Sequence, residues 1–256
     1  EHHAFPLDLA ALNAEIIVRC QNNNEKKFNL LEEIYNKQKS WAIGSDINKI
    51  NDLIKQIGLR FDLTEKKMNE CFNCDLSGAD LSSAALRGAE LTLANLKGAQ
   101  LENSNLKQSI LAEAELTGAH LSGASLEGAN LWYGKLQAAN LSNAKLYQAN
   151  LFAADLKEAN LRFAQLKDVN LSNANLQFAD LTLAQLEMAE LLLADLTGAT
   201  LKDTNFEGAD LLGANLEAAD LSGAILRNAN LTGANIEKAI LCNSTMPDGH
   251  VLYVGC

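Results

Sequence analysis

From Leu76 to Leu241 every fifth residue is large and apolar: of 34 such positions 32 are Leu, the exceptions being Phe206 and Ile236. Two residues before each stands a small residue, Ala at 28 of the 34; the departures are Cys74, Ser104, Ser109, Gly134, Val169 and Thr204. Neither standard period accommodates this spacing. On an α-helix five residues advance about 500°, so successive Leu step roughly 140° round the axis and line no stripe. On a flat strand an odd spacing sends successive Leu to opposite faces. A fixed spacing of five needs a chain that changes direction once per pentapeptide, with the Leu and the small residue both turned inward. The pattern predicts a coil of short sides.

Ala79-Asp80-Leu81-Ser82, Ala129-Asn130-Leu131 and Ala219-Asp220-Leu221-Ser222-Gly223 carry an A(D/N)LXX motif that resembles the pentapeptide-repeat family. The resemblance covers about two thirds of the chain. It implies a mainly β fold, a right-handed quadrilateral β-helix (β-solenoid) with four pentapeptides to a coil. The other three positions of each repeat then face water. The 34 repeats give eight and a half coils, a rod roughly 40 Å long at ~4.8 Å per stacked strand. Each inward Leu contributes about 1.5–3 kcal/mol of burial, and the position beside it must stay small because a close-packed interior resists added volume.

Residues 1–73 break the pattern and read as a small α-helical region. Phe28, Leu31, Ile34 and Tyr35 follow helical spacing, as do Ile47, Ile50, Leu53, Ile54 and Ile57. This region is expected to cap the solenoid edge or to recognise a partner. The solenoid is expected over 74–243 and a capping tail over 244–256, with a turn at Met246-Pro247-Asp248-Gly249. Val251-Leu252-Tyr253-Val254 is expected to fold over the last coil and close that edge.

The search for chemistry finds no catalytic, cofactor or metal set. Cys71-Phe72-Asn73-Cys74 is a lone C-x-x-C, and Cys74 falls on an inward small position, so core filler is favoured over a redox or metal role. His120 occupies an outward position with no Ser, Cys or ligand cluster around it. Gly118, Gly123 and Gly128 end their pentapeptides and serve turns; no phosphate-binding loop is present. No small-molecule substrate is evident. Cys20, Cys71, Cys74, Cys242 and Cys256 do not read as a disulfide framework, which favours a reduced, cytoplasmic setting. A net charge of −11 argues against direct binding to nucleic acid or an anionic membrane. No apolar run approaches the roughly 18 residues of a membrane span.

Sorting the outward positions at a period of 20 collects the apolar outliers on one face. Its first column after the Leu reads Thr92, Ala112, Trp132, Phe152, Ser172, Leu192, Leu212 and Thr232, and Tyr133 and Leu193 stand beside it. Trp132, Tyr133, Phe152, Leu192, Leu193 and Leu212 are the candidate interaction face. Such a strip is expected to be covered by the N-terminal helices, a second copy of the chain or a partner protein. Tyr147, Phe163, Phe178, Leu183 and Met188 are scattered over the other faces.

Residues 180–220 hold nine acids against one base, Lys202. Some members of the resembled family inhibit DNA gyrase by imitating duplex DNA, but these acids fall on all four sides and form no stripe. The leading expectation is a non-enzymatic, regulatory interaction scaffold binding another protein or a second copy. Relatives of that kind are abundant in cyanobacteria, some of them in cell-differentiation signalling. A DNA-mimic inhibitor of a type II topoisomerase is the alternative, and a redox or metal protein using Cys71 and Cys74 stands last.

Overall fold

The structure, a computed structural model, describes residues 76–256. The chain divides after Asp75, and the unit Leu76–Cys256 is the repeat region with its tail. Each pentapeptide is one short side of a coil. The Ala N–H donates to the preceding Leu carbonyl across a four-residue turn, as from Ala79 to Leu76 at 3.0 Å. The second residue after each Leu has a positive φ, as a type II turn requires. Gly fills that corner at some repeats, such as Gly118 and Gly128, but Leu, Phe, Met and Tyr also occupy it, Tyr133 with φ 52° and Leu193 with φ 56°.

Successive coils stack in parallel at a spacing of 20 residues. Asp80 bridges Gln100, Ala85 bridges Asn105, and the series runs unbroken to Ile225 with Thr245. This ladder is a quadrilateral β-helix whose four faces are marked by Leu76, Leu81, Leu86 and Leu91 and their equivalents 20 residues apart. The core is a column of Leu and Ala: Leu86 through Leu226 and the Ala between them are almost wholly buried, and Phe206 is the largest side chain inside. Where a hydroxyl replaces Ala, it finds a carbonyl. Ser104 donates to Leu101, Ser109 to Leu106 and Thr204 to Leu181, at 2.8, 2.7 and 2.8 Å, so the interior holds no penalty for these polar atoms.

The five backbone N–H groups of a repeat can be followed one by one. The Leu N–H and that of the turn corner donate to the next coil, as Leu81 does to Gln100 and Ser83 to Glu102. The Ala N–H closes the turn, and the bridging residue donates to the coil before, as Gln100 does to Ala79. The N–H just after the Leu is left over. All eighteen Asp and Asn residues that precede an inward Leu, Phe206 or Ile236, from Asp80 to Asn235, accept that hydrogen bond through a side-chain oxygen. The D/N of the motif is therefore an Asx turn that completes the backbone, a role beyond the outward placement expected for this position.

The tail differs from expectation in two ways. After β1 (Leu241–Thr245) the chain reverses, and β2 (Val251–Val254) pairs antiparallel along β1, Leu241 opposite Val254. The reversal at Met246–Gly249 comes before the chain can pass round the coil. The tail thus covers only one side: Leu231 is half-buried and Ile236 is 40% exposed. The second difference is a disulfide, Cys242–Cys256, which pins the returning strand with Cα atoms 4.9 Å apart. Cys242 and Cys256 are therefore paired, although the cysteines do not read as a disulfide framework in the sequence. The expected helices of residues 1–73, and Cys20, Cys71 and Cys74, lie outside the described residues.

Candidate interaction face

The sequence-derived face is held in register by the ladder between coils. Tyr133 N–H donates to the Phe152 carbonyl at 2.9 Å, Asn173 to Leu192 at 2.8 Å and Leu193 to Leu212 at 3.0 Å. Asx turns fix the same segments from the side: Asn130, Asn150 and Asp210 accept from the N–H groups of Trp132, Phe152 and Leu212. Trp132, Phe152, Leu192 and Leu212 consequently stand in one column, with Tyr133 and Leu193 at the adjacent corner.

The aromatic residues meet edge to face, with Tyr133 between its two neighbours. Trp132 and Tyr133 have ring centroids 4.9 Å apart at 84°, and Tyr133 and Phe152 6.0 Å apart at 72°, arrangements favoured by the ring quadrupoles. Trp132 is 37% and Tyr133 48% exposed, and Phe152 is half-buried. Two small residues form troughs in the column: Ala112, buried next to Trp132 in the series, and Ser172, buried between Phe152 and Leu192. Further along, Leu192 is half-buried while Leu193 and Leu212 are exposed. The result is a narrow ridge of apolar side chains that begins at Trp132, beyond the Ala112 trough, and has one dip, at Ser172. To one side Glu115 takes both Lys97, at 3.3 Å, and Lys135 as partners. The Lys135 hydrogen bond leads the causes that hold the Glu115 carboxyl below its ordinary range, although burial opposes it.

The remaining candidates carry little chemistry. His120 is exposed and lies 3.7 Å from Glu102. Among the described residues no group of three or more His, Cys, Asp and Glu is placed to hold a metal ion. The C-x-x-C pair falls outside them.

Comparison with known proteins agrees with this architecture. The family model described as Pentapeptide repeats matches in eight copies between residues 70 and 246, and the chain belongs to that family, with its right-handed quadrilateral β-helix. Among solved structures it is similar to HetL, a pentapeptide repeat protein involved in heterocyst differentiation regulation from the cyanobacterium Nostoc sp. The identity is 32%, over 70% of this chain and 92% of that one, with a TM-score of 0.31. A pentapeptide repeat protein from the Arabidopsis thaliana thylakoid lumen is 34% identical over 37% of this chain and 66% of its own, with a TM-score of 0.36. QnrB1, a plasmid-mediated fluoroquinolone resistance protein, is 21% identical over 69% and 85%, with a TM-score of 0.43. A comparison with curated proteins found no match.

Proposed function

We propose that this protein is a non-enzymatic interaction scaffold that binds another protein through the face bearing Trp132, Tyr133, Phe152, Leu192, Leu193 and Leu212. The observation that carries the reading is the exposed aromatic cluster on a rigid rod, continued by Leu side chains in the same column. Rings of this kind are the usual anchors of protein interfaces, and a solenoid presents them with little loss of conformational freedom on binding. A regulatory role fits a surface without chemistry of its own. The Cys242–Cys256 disulfide favours an oxidising compartment over the cytoplasmic setting expected from sequence.

The test compares wild type with a Trp132→Asp, Phe152→Asp variant in affinity purification from the native host and in sedimentation velocity. A partner, or a dimer, retained by wild type and lost by a still-folded variant supports the reading. Identical partners and identical sedimentation would rule it out. A second reading, mimicry of duplex DNA, draws on the acid surplus of residues 180–220. Their spread over all four sides disfavours it, and the protein is expected not to inhibit gyrase supercoiling at micromolar concentration. Sub-micromolar inhibition would promote this second reading above the first.

A further inference from the structure

The coil of residues 176–195 differs from every side, not from one. Its four turn corners, one per face, are Phe178, Leu183, Met188 and Leu193, and all four are large, apolar and exposed: 58%, 43%, 58% and 58%. Each holds the left-handed backbone conformation, with φ between 56° and 60°. That conformation costs a bulky residue strain that Gly or Asn avoids. Three of the four lean over a glycine corner of the next coil: a Cβ added at Gly198, Gly208 or Gly213 would run into Phe178, Met188 or Leu193. Small residues in that coil thus leave room for the girdle, yet more than half of each of these three side chains stays in contact with water.

The charge at the same level is equally one-sided. No Lys, Arg or His occurs between residues 168 and 201, while Asp180, Glu187, Glu190 and Asp195 are distributed round the coil. Of these four only Asp180 has a cation, Arg162 of the coil before at 3.1 Å, whereas acids elsewhere often have one, as Glu127 has Lys107 and Asp220 has Lys202. Among the described residues no cation lies within ion-pair distance of Glu187, Glu190, Asp195, Asp203, Glu207 or Asp210. From the coil before, Lys157 reaches the girdle, over the Phe178 ring at 6.0 Å, an intramolecular example of a cation seated on it.

We infer that this coil is a girdle for a cationic, apolar-bearing polypeptide segment that passes round the rod. Apolar side chains on four faces cannot be covered by one flat partner, and unpaired carboxylates at the same level select positive charge. The site meets the proposed interaction face only at Leu193, since Phe178, Leu183 and Met188 lie on the other three sides.

The probe is a synthetic peptide of about thirty alternating Arg and Leu residues, ~100 Å when extended and so longer than one coil. Its binding to the full chain is measured by fluorescence anisotropy beside Arg–Ser and Glu–Leu peptides of equal length. Phe178→Asn, Leu183→Asn, Met188→Asn and Leu193→Asn are tested singly. Asn suits the left-handed corner, so these variants remove apolar surface without disturbing the fold, which circular dichroism checks. Leu93→Asn, at an exposed corner far from the girdle, is the control. The expected result is tight binding of the Arg–Leu peptide alone, weakened about threefold to tenfold by each of the four variants and not by the control. Equal binding of the Arg–Ser peptide, loss confined to one or two adjacent faces, or no binding at all would overturn the inference.

Discussion

Ala149→Leu tests the inward assignment at the middle of the rod. Ala149 is 1% exposed, its N–H bonds the Leu146 carbonyl at 3.0 Å, and its carbonyl accepts from Asn170 at 3.0 Å. The backbone is therefore held on both sides and cannot swing the new side chain outward. Leu adds three carbons, which would bring about 2.4 kcal/mol of burial if space were free. Space is not free: Leu146 and Leu151 beside it show no exposure, and Ala129 one coil earlier is as buried as Ala149 itself. Overpacking of this kind costs about 1–3 kcal/mol net. Val169, one coil further along the same column, shows that two extra carbons fit at an equivalent place. Ala149→Val should accordingly cost less than about 1 kcal/mol, and Leu151→Ala, which empties the core instead, about 2–5 kcal/mol. Urea unfolding with the slope held constant reads all three. A graded order of Val, then Leu at 149 is expected, and an Ala149→Leu protein as stable as wild type would mean that the small column does not face the core.

The other predictions follow from the polar groups. Asn150→Ala removes an acceptor for the Phe152 N–H at 3.1 Å and a donor to Asn130 at 3.2 Å, so it should cost about 0.5–1.5 kcal/mol in the same unfolding assay, where a purely solvated residue would cost nothing. Burial pushes the Asp195 carboxyl up, but hydrogen bonds from the Thr197 hydroxyl, the Gln177 amide and the Thr197 N–H outweigh it and hold its pKa below the ordinary value. The stability this provides is complete above the ordinary Asp pKa of about 3.9 and disappears as pH falls through the lowered value. Unfolding free energy measured from pH 5 to pH 2 should therefore drop less steeply in Asp195→Asn than in wild type. Cys256→Ser opens a loop with a sequence separation of 14, a closure worth about 3 kcal/mol. Because Val251, Tyr253 and Val254 are exposed, hydrogen exchange should accelerate in residues 251–254 and leave the coils around Leu151 unchanged.

The core was legible because a spacing of five tolerates no slip: one residue inserted or lost would have put every later side out of step. The corner glycines were legible for the same reason, since a chain that bends once per repeat needs a residue at each bend. The role of Asp and Asn before the Leu was not, because it depends on which N–H the stacked coils leave unpaired. The candidate face was legible in position, as the ladder places Trp132, Phe152, Leu192 and Leu212 in one column. Its internal packing was not: from sequence Trp132 and Phe152 were the expected neighbours, whereas Tyr133, at the turn corner, forms a ring contact with each. Phe178, Leu183 and Met188 looked scattered when sorted by column, and become a girdle only when sorted by height along the axis. The disulfide depends on a reversal at Met246–Gly249 that brings Cys242 and Cys256 together, which no periodicity reports.

The ladder of 20 also makes the length of the chain a rotary setting. Each coil is bonded only to the residues 20 before and 20 after it, and every pentapeptide offers the same Leu and the same turn. Deleting twenty residues between Phe152 and Leu192 would shorten the rod by one level and keep the two residues on one face. Deleting five would leave an equally well-packed core but turn everything beyond the cut by a quarter. Leu192 and Leu212 would then look away from Trp132, although no surface side chain had been changed. In such a protein, insertions and deletions in units of five are a means of re-aiming one part of the surface against another, independent of stability.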